Sequence, residues 1–157
     1  MKPINAISLS VGLLVTVWTF ATLGYLEPKV LTWITFLTWA SFYAAGAGMG
    51  GLVKSIACGV AGALISALIV WLNLKLGMGL VVFSLLLGVL GWTLCRISQA
   101  TLLACIPASF IGAASFFGAG TPLDAKLSWV LLSIVCGSFM GLFSQRLAAV
   151  FTEKTPA

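Results

Sequence analysis

Charged residues in this chain stand where one apolar run gives way to the next, and almost nowhere else. The runs cover residues 4–26, 30–50, 55–72, 79–95, 101–118 and 127–151. Glu27 and Lys29 close the first, Lys54 follows the second and Lys75 the third. Arg96 follows the fourth, and Asp124 and Lys126 divide the last two. A helix needs about 20 mostly apolar residues to cross a bilayer, and each run approaches or exceeds that length. Soluble domains carry about a quarter of their residues as charges. Here the share is 7%, against 61% hydrophobic residues, too little charge to cover a globule with polar surface. The pattern predicts an all-α membrane protein, six transmembrane helices in one integral domain over residues 1–157, with the lipid bilayer as its surroundings.

The first run exceeds the roughly 7–15-residue core of a signal peptide and is expected to stay with the protein. Short connections leave no room for a soluble domain and make consecutive helices antiparallel neighbours. Alternation then puts Lys2, Lys54, Arg96, Arg146 and Lys154 on one side and Lys29, Lys75 and Lys126 on the other. Lys and Arg favour the cytoplasmic side, so both termini are expected there. A net charge of +5 reads as helix-orienting loop charge, and no nucleic-acid partner is expected.

A second pattern divides the chain. Leu, Val, Trp and Thr of the first run (Leu13, Val15, Trp18, Thr19) return in the fourth as Leu87, Val89, Trp92 and Thr93. Ala40-Ser41-Phe42 returns as Ala108-Ser109-Phe110, and Lys54 corresponds to Lys126. Residues 1–76 and 77–157 then read as two three-helix repeats. Three crossings invert the second repeat relative to the first and place a binding site near the midplane of the bilayer. The alternative is an ordinary six-helix bundle with chance similarity.

Two Gly/Ala-rich stretches, 40–51 and 108–120, end the second and fifth runs. Glycine weakens a helix and admits other backbone angles. Backbone at membrane depth unwinds only where protein or a water-filled cavity satisfies it. These stretches are candidate gates at opposite faces, or else frayed and closely packed helix ends. Pro107, inside the fifth run, is expected to kink that helix and release the Leu103 carbonyl. Small residues spaced by four (Gly59, Ala63 and Ala67; Gly62 and Ser66; Ala104, Ala108 and Gly112; Ser133, Gly137 and Gly141) read as packing seams, within one chain or between copies.

Chemistry is sparse. The chain has no histidine, and its four cysteines, Cys58, Cys95, Cys105 and Cys136, form no CxxC pair. They read as packing residues, and no metal or cofactor is expected. No Asp, Glu, Lys, Arg or His falls deep in a run, Arg146 coming nearest, which disfavours proton relays. No nucleophile, base or metal set is assembled, so an enzyme is not expected. What remains is aromatic rings, hydroxyls and glycine backbone. The candidate pathway lining is Ser41, Phe42, Tyr43, Gly46, Ser109, Phe110, Gly112 and Phe116, between the second and fifth helices. The chemistry suits a small neutral or weakly polar solute, in kind a urea, short amide, alcohol or dissolved gas.

The fragments from Trp39 to Gly48, from Gly51 to Ser55 and from Phe110 to Gly118 resemble the YcdZ-like family of small bacterial inner-membrane proteins. The resemblance implies a bacterial inner-membrane location and supplies no activity or site residues. The expectation is a channel or facilitator that works as a homo-oligomer. The competing expectation is a membrane scaffold or accessory subunit that binds partner helices through its small-residue seams.

Overall fold

The computed structural model describes residues 1–77 and 79–152. Lys154, one of the cations assigned above to the cytoplasmic side, lies outside them. Among the described residues every regular element is helical. α1 covers Pro3–Ala21 and widens into a π turn, Thr22–Leu26. α2 covers Thr32–Ala44, α3 Gly48–Leu76 and α4 Leu80–Ile97. A 3-10 turn at Thr101–Leu103 precedes α5, Ile106–Gly118, and α6 covers Lys126–Phe151.

Among the described residues four helices are long and apolar enough to cross a membrane: α1 with its π turn, α3, α4 and α6. α2 and α5 depart from the expected runs 30–50 and 101–118. Each has 13 residues, about 20 Å at the helical rise, against a hydrocarbon core of about 30 Å. The expected glycine-rich end of the second helix divides in two. α2 stops at Ala44, and Gly48, Gly50 and Gly51 form the first turn of α3. Pro107 falls in the first turn of α5 and makes no kink. A missing N–H is harmless there, because the first amides of a helix have no partner within it.

The two short helices end in the same way. After α2, the amides of Ala45, Gly46 and Ala47 donate to the carbonyls of Ser41, Tyr43 and Phe42. After α5, the amides of Ala119, Gly120 and Thr121 donate to those of Ser115, Phe117 and Phe116. Gly46 and Gly120 have φ of 101° and 83°, and Ala47 and Thr121 follow at 56° and 54°. Each of these residues stands 74 positions from its counterpart. This is the left-handed helix stop that glycine favours. The match pairs Ala40-Ser41-Phe42 with Ala114-Ser115-Phe116, and not with the earlier Ala108-Ser109-Phe110.

Helix pairing crosses the middle of the sequence: α2 lies on α6, and α5 lies on α3. Glycine makes both seams. A β-carbon on Gly62 would overlap the Ser109 carbonyl, and one on Gly112 would overlap the backbone of Gly59. On the other seam, one on Gly137 would overlap Thr35 and Thr38, and one on Gly141 the Phe42 ring. Lipid offers no hydrophobic reward for helix contact, so such close approach supplies the packing attraction. α1 rests on α6, while α4 lies at the edge against α3 and α5. It buries Leu90 and Leu94 and leaves Val81, Leu85, Val89 and Trp92 exposed.

Candidate functional site

α2 carries a hydroxyl at every third residue, Thr32, Thr35, Thr38 and Ser41, and all four are buried. A three-residue step falls about 60° short of a full turn, so the row winds around the helix. Thr32 and Thr35 meet Thr22 and Trp18 of the first helix and its π turn, while Thr38 and Ser41 meet α6 and α3. Thr38 donates to the Ile34 carbonyl at 3.0 Å and Ser41 to the Thr38 carbonyl at 2.8 Å. Such local bonds satisfy hydroxyls where no water reaches. Ser41 Oγ also meets Ser55 Oγ of α3 at 2.6 Å, and Ser55 Oγ meets Ser138 Oγ of α6 at 2.9 Å. The three serines tie three helices through a fully buried polar seam.

Closer to the N-terminal face, Ser144 of α6 gathers a second group. Its Oγ accepts the Trp39 indole N–H at 2.9 Å and meets Tyr43 Oη at 2.6 Å. Its carbonyl accepts Ser10 Oγ of α1 at 2.9 Å. Near the opposite face, Trp18 Nε1 donates to Thr35 Oγ1 at 2.8 Å, and Thr32 Oγ1 donates to Thr22 Oγ1 at 2.8 Å. Two backbone amides at helix starts are held by side chains of α6: Leu31 by Ser133 Oγ at 2.8 Å and Gly48 by Gln145 Oε1 at 2.9 Å.

The candidate lining residues fall into separate places. Ser41 and Phe42 are buried on the α2–α6 seam, and Tyr43 is half-buried at Ser144. Gly46 sits in the turn after α2, where a β-carbon would find nothing within 4 Å. Ser109 and Gly112 lie on the α3–α5 seam. Phe116 is buried with Ala67, Val130 and Ile134, while Phe110 is 45% exposed on the outer side of α5. Phe42 and Phe116, 74 residues apart, are the two largest fully buried side chains, and each makes an edge-to-face contact with the next ring, Tyr43 or Phe117. Sequence reasoning passes over Thr35, Thr38, Ser55, Ser138 and Ser144. The three-residue hydroxyl spacing of α2 is the visible signal.

A cavity of about 310 Å³ opens at the face opposite the N-terminus, lined by Pro28, Leu31, Ala119, Lys126, Trp129 and Val130. It adjoins a second hollow over the 119–126 turn. Among the described residues no three His, Cys, Asp or Glu side chains gather as a metal site.

Residues 8–149 match the family described as "Protein of unknown function (DUF1097)". The chain belongs to DUF1097. The match takes in all six helices of this DUF1097 protein, from the body of α1 to near the end of α6. No curated protein and no solved structure matches the chain.

Proposed function

We propose that the protein is a small membrane facilitator for a small neutral or weakly polar solute. In this reading residues 1–76 and 77–157 are two repeats inserted in opposite senses, crossing six times, with both termini cytoplasmic in a bacterial inner membrane. The short helices α2 and α5 cross together with the irregular backbone at their ends. One observation carries the reading: two 13-residue helices end in the same hydrogen-bonded turn, 74 residues apart, one at each face. Half-length helices with unwound ends, related in this way, belong to proteins that bind a solute near the midplane.

The interior chemistry supports the solute class. Among the described residues the buried polar side chains are serines and threonines, and the deepest cations, Lys54 and Arg146, lie within two turns of helix ends. The glycine seams leave no room for a methyl group along α3–α5 or α2–α6. Passage therefore needs a movement, which favours a facilitator over a standing pore. The same seams are consumed inside the chain, so a scaffold would have to bind through other surface, such as the exposed face of α4.

The test is stopped-flow swelling of liposomes containing the purified protein, with urea, acetamide or glycerol as solute. Faster swelling than protein-free liposomes is expected for at least one of them. Folded protein that gives only the protein-free rate for all three would remove the proposal.

A further inference from the structure

The two halves match in register but differ in what they hold. Trp18 Nε1 donates to Thr35 Oγ1 at 2.8 Å, and Thr35 donates onward to the Thr32 carbonyl at 2.6 Å. The residues 74 positions later are Trp92 and Ser109. Ser109 is fully buried, and its Oγ meets no nitrogen or oxygen partner. The thiol of Cys58 is the bonding group beside it, a weak one. Trp92 is 67% exposed, and no bond joins its indole to Ser109, the buried hydroxyl that corresponds to Thr35. A buried hydroxyl with no nitrogen or oxygen partner is rare and calls for a cause.

The two ends differ in the same sense. Beside the turn after α5, Leu31 and Ala119 line an open cavity of about 310 Å³. Their counterparts 74 positions away are Cys105 and Ala45. There Cys105 is packed against Cys58 and Ala108, with Ala45 and Leu103 over them, and Cys58 is fully buried. The corresponding place at Cys105 and Ala45 is filled, while a hollow of about 270 Å³ nearer the N-terminal face lies apart from it between α1 and α2, lined by Val15, Trp39 and Tyr43.

We infer that the chain has a second conformation in which the halves exchange roles. α4 turns so that Trp92 Nε1 reaches Ser109 Oγ, and the Trp18–Thr35 bond opens. The cavity beside Leu31 and Ala119 closes, and the packing around Cys58 and Cys105 opens to the N-terminal face. This rests on the facilitator reading and supplies the movement that the closed seams demand. The solute would then meet a corresponding small chamber from either side in turn.

Native thiols report the exchange. In full-length protein carrying Cys95→Ser and Cys136→Ala, maleimide labelling of Cys58 and Cys105 follows the population of the second conformation while that population is small. Trp18→Phe removes the bond of the present conformation and is expected to speed labelling about fivefold, the effect of one buried hydrogen bond. Trp92→Phe removes the bond of the second and is expected to slow labelling by a similar factor. General loosening of the protein would only speed labelling, so the slowing by Trp92→Phe is the deciding result. Labelling that Trp92→Phe leaves unchanged or accelerates overturns the inference, whatever Trp18→Phe does. Swelling measured on the same liposomes separates the two readings. Opposite shifts without solute flux support the exchange and remove the facilitator, and flux with no effect of Trp92→Phe removes the exchange alone.

Discussion

The carbonyl oxygen of Ser109 occupies the space that a β-carbon on Gly62 would need. α3 and α5 therefore meet backbone to backbone, and Gly112 repeats the contact against Gly59. Gly62→Ala and Gly112→Ala are each expected to cost about 1–3 kcal/mol, the usual penalty of forcing an extra carbon into a packed interior. The measurement is the apparent melting temperature in detergent. Gly88→Ala is the control: nothing lies within 4 Å of its would-be β-carbon, and alanine favours a helix by about 1 kcal/mol over glycine. Equal losses at Gly62 and Gly88 would contradict the seam.

Ser144 is the acceptor for a buried indole. Ser144→Ala leaves the Trp39 N–H without its partner, and Trp39 is 5% exposed. The expected loss is about 1–3 kcal/mol, the cost of an unsatisfied buried donor. Tyr43→Phe removes a hydroxyl from the half-buried edge of the same group and is expected to cost less. Urea unfolding followed by Trp fluorescence compares the two, and the reverse order would show that Tyr43 is the anchor.

Gly46 and Gly112 separate two kinds of damage. Gly46 has φ of 101° in open space, so Gly46→Leu strains the backbone by about 1–2 kcal/mol but meets no obstacle. Folded protein with slowed solute flux is expected. Gly112→Leu drives a side chain into the Gly59 backbone and is expected to yield no monodisperse protein. Size-exclusion chromatography before the flux assay distinguishes them.

Solute flux is expected to stay level between about pH 6 and 8, the interval in which histidine would normally titrate. The chain has no histidine, and no described carboxylate lies within a helix interior. A swelling rate that changes tenfold across that interval would argue for a coupled proton and against passive passage.

The membrane class is legible in the sequence because hydropathy and charge placement dominate it. The seams are legible too: Gly59, Gly62, Gly112, Gly137 and Gly141 all stand on small-residue stripes, and all meet close neighbours. The short reach of α2 is hidden. Apolar residues run on past Ala44, and hydropathy does not register the left-handed turn at Gly46 and Ala47 that sends the chain into α3. The matching of the two helix ends is hidden for another reason. Ala-Ser-Phe occurs twice in α5, and the turn bonds and burial tell them apart: Phe116 is enclosed and accepts from Thr121, while Phe110 is exposed. The hydroxyl ladder of α2 is readable in its spacing, but its partners Ser55 and Ser138 come from α3 and α6, which no local pattern reveals.

The crossed pairing of α2 with α6 and of α5 with α3 bears on how the protein is made. When α3 has left the ribosome, α2 still lacks the helix against which Thr35, Thr38 and Phe42 will pack. α3 in turn waits for α5 to cover Gly59 and Gly62. Each half is therefore expected to stay incompletely packed until the other arrives and α6 is inserted. A chain cut short by a premature stop would present bare glycine backbone in the bilayer, a ready substrate for membrane proteases.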